Sequence, residues 1–205
     1  PGGSWFVALD GTVTWGHQEI EVGGGYDGLH GEYDWGWHDG HVYVYSEVNP
    51  ADRYSALEVS QRPSSIEMPG NNAQDWITID GIQMLFTQSK GFFSGYPAMA
   101  AEGLTIRNSH IAYVGIRDGL AADCLKVWHS NAVYENNEIH DCGRHGIGIL
   151  IFATRGITVD NVRIENNHFY HSWHTTGIDI QSAGTDPVQN VMVRGNLFEG
   201  HPEED

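Results

Sequence analysis

Several side chains in this sequence could do chemistry together: one lysine, one arginine, a set of histidines and interleaved aspartates. Asp123, Lys126, Trp128 and His129 form one group. His140, Asp141, Arg144 and His145 form a second, and His171, His174, Thr175, Asp179 and Gln181 a third. A Lys or His can accept a proton in a transition state, and a cation beside it can hold the charge that develops next to a carboxylate. Base and cation together are what an elimination needs. Lys126 or His145 is the candidate base. Arg144 could neutralise the substrate carboxylate, or a Ca²⁺ held by Asp123, Asp141 or Asp179 could. Paired carboxylates could instead share acid and base work, and Asp123 with Asp179 or Asp141 is the pair to consider. His168, His171 and His174 recur at every third residue, with His140 near. On a strand or loop that spacing does not converge as it would on a helix, so no metal ligands are assigned from it.

The composition excludes other classes. The chain has 205 residues, with 27 acidic and 10 basic side chains and a net charge of -17. Such a surface repels a phosphate backbone, so nucleic acid is not the expected partner. With so few cations, a Lys, an Arg and a His on neighbouring repeats are pointed. No apolar run is long enough to span a bilayer. Gly23, Gly24 and Gly25 are not followed by a helix, so no phosphate loop is read there, and no Gly-x-Ser-x-Gly elbow is present. The chain opens on Pro1, Gly2, Gly3 and Ser4 without a basic leader, which reads as the inside of a longer protein or a processed end.

The elements that must position these groups are repeats. Residues 77–84, 104–111, 132–139, 162–169 and 191–198 align, with equivalent positions at 82, 109, 137, 167 and 196. Each is a short alternating strand, a polar kink and a second short strand; period two means β. The kink carries Asn136 and Asn137, Asn166 and Asn167, then Gly195 and Asn196. Asn tolerates left-handed backbone and bonds nearby backbone groups, and stacked kinks put Asn above Asn so that their amides bond along the stack. A third strand recurs at 124–128, 146–150 and 177–181. A repeat of this length cannot bury its apolar face alone, so it must stack into a solenoid.

With its Gly-Ile-x-Ile strands and x-Ile-x-Asn-Asn-x-Phe/Ile turns, the sequence resembles the right-handed parallel β-helix proteins of the pectate-lyase-like superfamily over residues 74–199. Stretches 42–50, 56–59 and 76–81 resemble that group's lead-in. The resemblance implies an all-β right-handed parallel β-helix of about five coils, with 1–50 as an irregular lead-in layer and 51–205 as coils. Trp5, Trp15, Trp35 and Trp37 in the lead-in read as packing residues, with sugar stacking as the other reading. The chain ends just after a repeat with no amphipathic cap, so a fragment or end-to-end association is expected.

Alternation assigns the faces. Leu125, Val127, Ile147, Ile149, Ile178 and Ile180 point inward; Lys126, Trp128, Gly148, Leu150, Asp179 and Gln181 point outward. Lys126, Gly148 and Asp179 are expected to stack, leaving a gap at Gly148 between a cation and an anion roughly 10 Å apart. In the resembled superfamily the polysaccharide groove runs along this sheet and the loops that feed it, here carrying Asp118, Asp123, His140, Asp141, Arg144, His145, His171, His174 and Thr175. The resemblance therefore implies a secreted, extracellular protein acting on an acidic polysaccharide, most simply a lyase. A glycoside hydrolase with paired aspartates and a non-catalytic glycan-binding solenoid stay open. The candidate catalytic residues are Lys126, His145, Arg144, Asp123 and Asp179; the candidate substrate-binding residues are Trp128, His129, His174 and Gln181. No cofactor is required, with Ca²⁺ as an option. Cys124 and Cys142 fall about one coil apart and could pair or remain thiols.

Overall fold

The computed structural model describes residues 4–8, 13–15, 17–18, 28–38, 41–68, 74–95, 101–115, 122–143, 147–171 and 176–200. The alternating segments form three parallel sheets, each five strands deep. The first sheet stacks Ser64–Glu67, Lys90–Phe93, Leu125–Val127, Ile149–Ala153 and Ile178–Ser182. The second stacks Ile77–Asp80, Leu104–Arg107, Ala132–Glu135, Val159–Glu165 and Val188–Arg194. The third stacks Gln83–Thr87, His110–Val114, Glu138–Cys142, His168–Tyr170 and Leu197–Phe198. The chain visits the three sheets in turn, so each pass lies on the one before it: a parallel β-helix, as the repeats imply.

One apolar core fills the solenoid. Phe92, Leu125 and Ile149 stack along the first sheet, Ile106, Tyr134 and Ile164 along the second, and Ile111, Ile139 and Phe169 along the third. Each such side chain contributes about 1.5–3 kcal/mol by leaving water. The hydroxyl of Tyr134 finds no hydrogen-bond partner among the described residues, and burial pushes its pKa up.

Two-residue turns carry the chain from the second sheet to the third. Their first residues are left-handed: Gly81 (φ 68°), Asn108 (50°), Asn136 (54°), Asn166 (56°) and Gly195 (67°). In the last three turns the next residue is Asn137, Asn167 and Asn196, and these build the expected Asn stack. Asn137 Nδ2 donates to Asn167 Oδ1, and Asn167 Nδ2 to Asn196 Oδ1, both at 3.0 Å. The same two oxygens accept from the backbone N–H of Asn137 and Asn167. Each buried amide thus satisfies neighbours above and below, which is why a polar column survives inside an apolar core.

The register of the first sheet differs from the expected one. Lys126 lies against Leu150, and Leu150 against Asp179. Gly148 sits two residues earlier, and Leu150 (5 % exposed) fills the space where a gap was expected. Ile147, Ile149 and Ile151 share one parity, so a two-residue slide leaves every side chain on its own face. Alternation alone cannot detect such a slide.

Cys124 and Cys142 form a disulfide with Cα atoms 5.4 Å apart. Cys124 precedes the strand Leu125–Val127, and Cys142 ends Glu138–Cys142, so the bond closes one circuit of the solenoid. Before the coils, Tyr54–Val59 pairs antiparallel with Ser4–Ala8, and Asp34–His38 with His41–Val44. Trp35 is buried with Tyr54 in a second small core, which fits its packing role; the side chains of Trp5, Trp15 and Trp37 lie outside the described residues. No helix among the described residues is long and apolar enough to cross a membrane.

Candidate functional site

Alternation buries Leu125 and Val127 and turns Lys126 outward. Its Nζ lies 3.6 Å from Asp123 Oδ2 and 5.8 Å from the centre of the Trp128 ring. On the strand before, Lys90 Nζ donates to Ser89 Oγ at 2.7 Å and lies 5.1 Å from the centre of the Phe93 ring. Phe93 pairs with Lys126 in the sheet, and Lys90, three residues earlier, lays its amine over the Phe93 ring, within reach of the Lys126 charge. Burial, and then the Lys126 charge, hold the Lys90 amine below the usual lysine range, although Asp123 and Glu67 pull it partly back. Asp123 is 2 % exposed; burial pushes its carboxyl up, against the opposing pull of Lys126 and Lys90. An amine with a lowered pKa is a better proton acceptor near neutral pH, and an ammonium beside it can hold an anion.

The other expected site residues are placed unevenly. Trp128 is 1 % exposed, packed between Phe93 and Phe152 at ring distances of 5.7 and 6.1 Å, not turned out to stack on a sugar. It lies beyond the end of its strand, where alternation no longer sets direction. His129 is also 1 % exposed, with Nε2 3.2 Å from the Gln74 carbonyl oxygen, so it too is covered. Asp179 lies two rungs beyond Lys126 and accepts a hydrogen bond from Gln181 Nε2 at 2.6 Å. Asp118, Arg144, His145, His174 and Thr175 lie outside the described residues. Lys90 was missed because its strand reads Lys-Gly-Phe-Phe rather than Gly-Ile-x-Ile.

A second group lies on the outer face of the third sheet. Ile111, Ile139 and Phe169 turn inward, so their neighbours His110, Glu138, His140, His168 and Tyr170 turn outward. His140 is 4 % exposed; its ring stacks on those of Tyr170 at 4.2 Å and His110 at 4.9 Å, with the edge of Tyr113 at 5.1 Å. The Nε2 atoms of His110 and His140 share a hydrogen bond of 2.7 Å. Nδ1 of His140 lies 2.5 Å from Asp141 Oδ2, and Nδ1 of His171 lies 3.8 Å from the same oxygen. With Asp141 accepting, Nδ1 carries the proton and Nε2 presents its lone pair. Tyr170 donates to Glu138, holding that carboxylate below its usual range; burial and that bond push the tyrosine up. Burial, and then His140, hold His110 below the usual imidazole range.

Consecutive residues of a strand point to opposite faces, so Asp141 should not reach His140. It does so because Asp141 is left-handed (φ 48°), as are Phe86 (57°), Tyr113 (56°) and His171 (48°) on neighbouring rungs. Each non-glycine residue held there costs about 1–3 kcal/mol, and such strain gathers where geometry is being enforced. His140, Asp141 and His171 were expected as polar loop groups; His110, Glu138, Tyr113 and Tyr170 were not expected. The alternation that places Lys126 outward would have found most of them had it been applied to the strands after each Asn turn.

The family model described as right handed beta helix region matches residues 65–204. No curated protein and no solved structure matches the chain.

Proposed function

Since the chain belongs to the right-handed β-helix family, we propose that the outer face of its first sheet binds an acidic polysaccharide outside the cell and cleaves it by β-elimination. The observation that carries this reading is the lysine pair. Lys90, with its lowered pKa, takes the proton beside the uronate carboxylate. Lys126 holds the carboxylate as charge builds on it. The electron pair left behind forms a carbon–carbon double bond, the glycosidic C–O bond breaks, and the leaving oxygen takes a proton from solvent. Asp123 keeps Lys126 in place at 3.6 Å, and Asp179 and Gln181 extend the same face two rungs further.

The disulfide supports a working place outside the reducing cytosol. Paired-aspartate hydrolysis has less support, because Asp123 is buried against a lysine rather than presented across a bond to Asp179. The test is a panel of acidic and neutral polysaccharides, with and without Ca²⁺, following product unsaturation and new reducing ends together. Both should rise on a uronate polymer and fall at least about 100-fold in Lys90→Ala and in Lys126→Ala, the scale of a lost general base. Reducing ends without unsaturation, silence on every uronate polymer, or lysine variants with full activity would each overturn the reading.

A further inference from the structure

We propose that His110, Glu138 and His140 on the third sheet bind one divalent first-row transition-metal ion, with Zn²⁺ as the fitting member. Their candidate ligand atoms all lie within 4.8 Å of one another. The donors are two imidazole nitrogens and one carboxylate oxygen, a set that suits Zn²⁺ and its neighbours rather than Ca²⁺ or Mg²⁺, which favour oxygen. The two Nε2 atoms, now 2.7 Å apart, need to open only to about 3.3 Å to sit on one tetrahedral zinc at about 2.05 Å from each. His110 is half-buried, so small ring rotations suffice on that side.

The surroundings of the three donors point the same way. A metal-binding imidazole has its other nitrogen held by a carboxylate, and Asp141 does that for His140 at 2.5 Å. The left-handed backbone that recurs at this position on neighbouring rungs brings the Asp141 carboxylate to that nitrogen. Glu138 is oriented in turn by the Tyr170 hydroxyl. Three protein ligands leave the fourth position of a tetrahedral ion for water, as in zinc sites that act on a substrate rather than only holding a fold. The ion would also tie the strand His110–Val114 to Glu138–Cys142. This site is separate from the lysine face and independent of the function proposed there.

The test uses the full chain without a polyhistidine tag, stripped with a chelator and titrated with Zn²⁺ against a chromogenic zinc indicator. One equivalent of zinc should bind, with a rise in Tm, and Co²⁺ in its place should give the visible absorption of a four-coordinate site. His110→Ala should weaken binding at least about 100-fold, and Asp141→Asn about 10–100-fold with the stoichiometry kept. Lys90→Ala should leave zinc binding unchanged. His140 is buried, so His140→Ala may be read only if its circular dichroism matches the parent; His110→Ala, at a half-buried position, decides the matter alone. Zinc that binds no more tightly to the parent than to His110→Ala, or no zinc at all, would mean a hydrogen-bonded imidazole pair and overturn the proposal.

Discussion

The outer faces of the first and third sheets are built by the same rule and arrive at opposite chemistry. Both draw on neighbouring rungs about 4.8 Å apart, where outward side chains not directly opposite one another still come within reach. On the first sheet burial, and then the like charge of Lys126, act on Lys90, whose amine lies over the Phe93 ring on the rung beside Lys126, and the result is an amine inclined to give up its proton. On the third it is between His110 and His140, two lone-pair donors flanked by carboxylates, and the result is a place for a proton or a metal ion. The scaffold sets the distance. Residue type alone decides whether that distance becomes repulsion, and so a base, or convergence, and so a ligand set.

The comparison breaks most sharply at Lys90. Lys90→Ala should lower kcat/KM on a uronate polymer by about 10³, and Lys90→Arg by as much, because a guanidinium does not release its proton. Folding and zinc affinity should not change, which separates the two faces in a single variant. The rate should also rise with pH, since the neutral amine is the active form. Its inflection should fall below the ordinary lysine value of about 10.4, because burial and Lys126 lower the Lys90 pKa. An inflection near about 6.5 would transfer the base role to a histidine.

The disulfide joins the two faces, since Cys124 adjoins Asp123 and Cys142 adjoins Asp141. Replacing both cysteines with Ser should lower unfolding free energy by about 3 kcal/mol for a span of 18 residues. It should weaken cleavage and zinc binding together, measured by denaturant titration beside both assays. Asn167→Ala should cost about 2 kcal/mol by stranding the buried groups of the Asn stack, and should loosen the third sheet more than the first. Hydrogen exchange resolves that difference. The smallest effect has the opposite sign: Tyr134→Phe removes an unpartnered buried hydroxyl and should raise stability by about 1 kcal/mol, with neither activity altered.

The sequence carried the architecture at high resolution and the site at low resolution, for physical reasons. Asn137, Asn167 and Asn196 announce their turns because a left-handed residue followed by a buried amide admits few side chains. The strand Ile149–Ala153 hides its register because three isoleucines of one parity make a two-residue slide silent. Trp128, read as outward, follows the end of its strand, where the period stops, and His129 opens the next short strand, His129–Ser130, with its ring covered. The cluster around His140 is half legible: period two yields His110, Glu138 and Tyr170, while the bend that brings Asp141 onto its own neighbour leaves no mark in residue spacing. The pairing of Cys124 with Cys142 follows from the circumference of a coil, which becomes known only once the coils are.

Pulled apart from its two ends, this solenoid would not pay out its whole length. The loop between the cysteines is locked covalently, so 18 residues stay hidden from the force. At about 3.5 Å per residue, roughly 60 Å of contour would be missing from a force–extension trace and would reappear when a reductant is added. Rungs on either side could unwind one after another, while the middle one remained a closed ring carrying Lys126 from one chemical face and Glu138, His140 and Asp141 from the other.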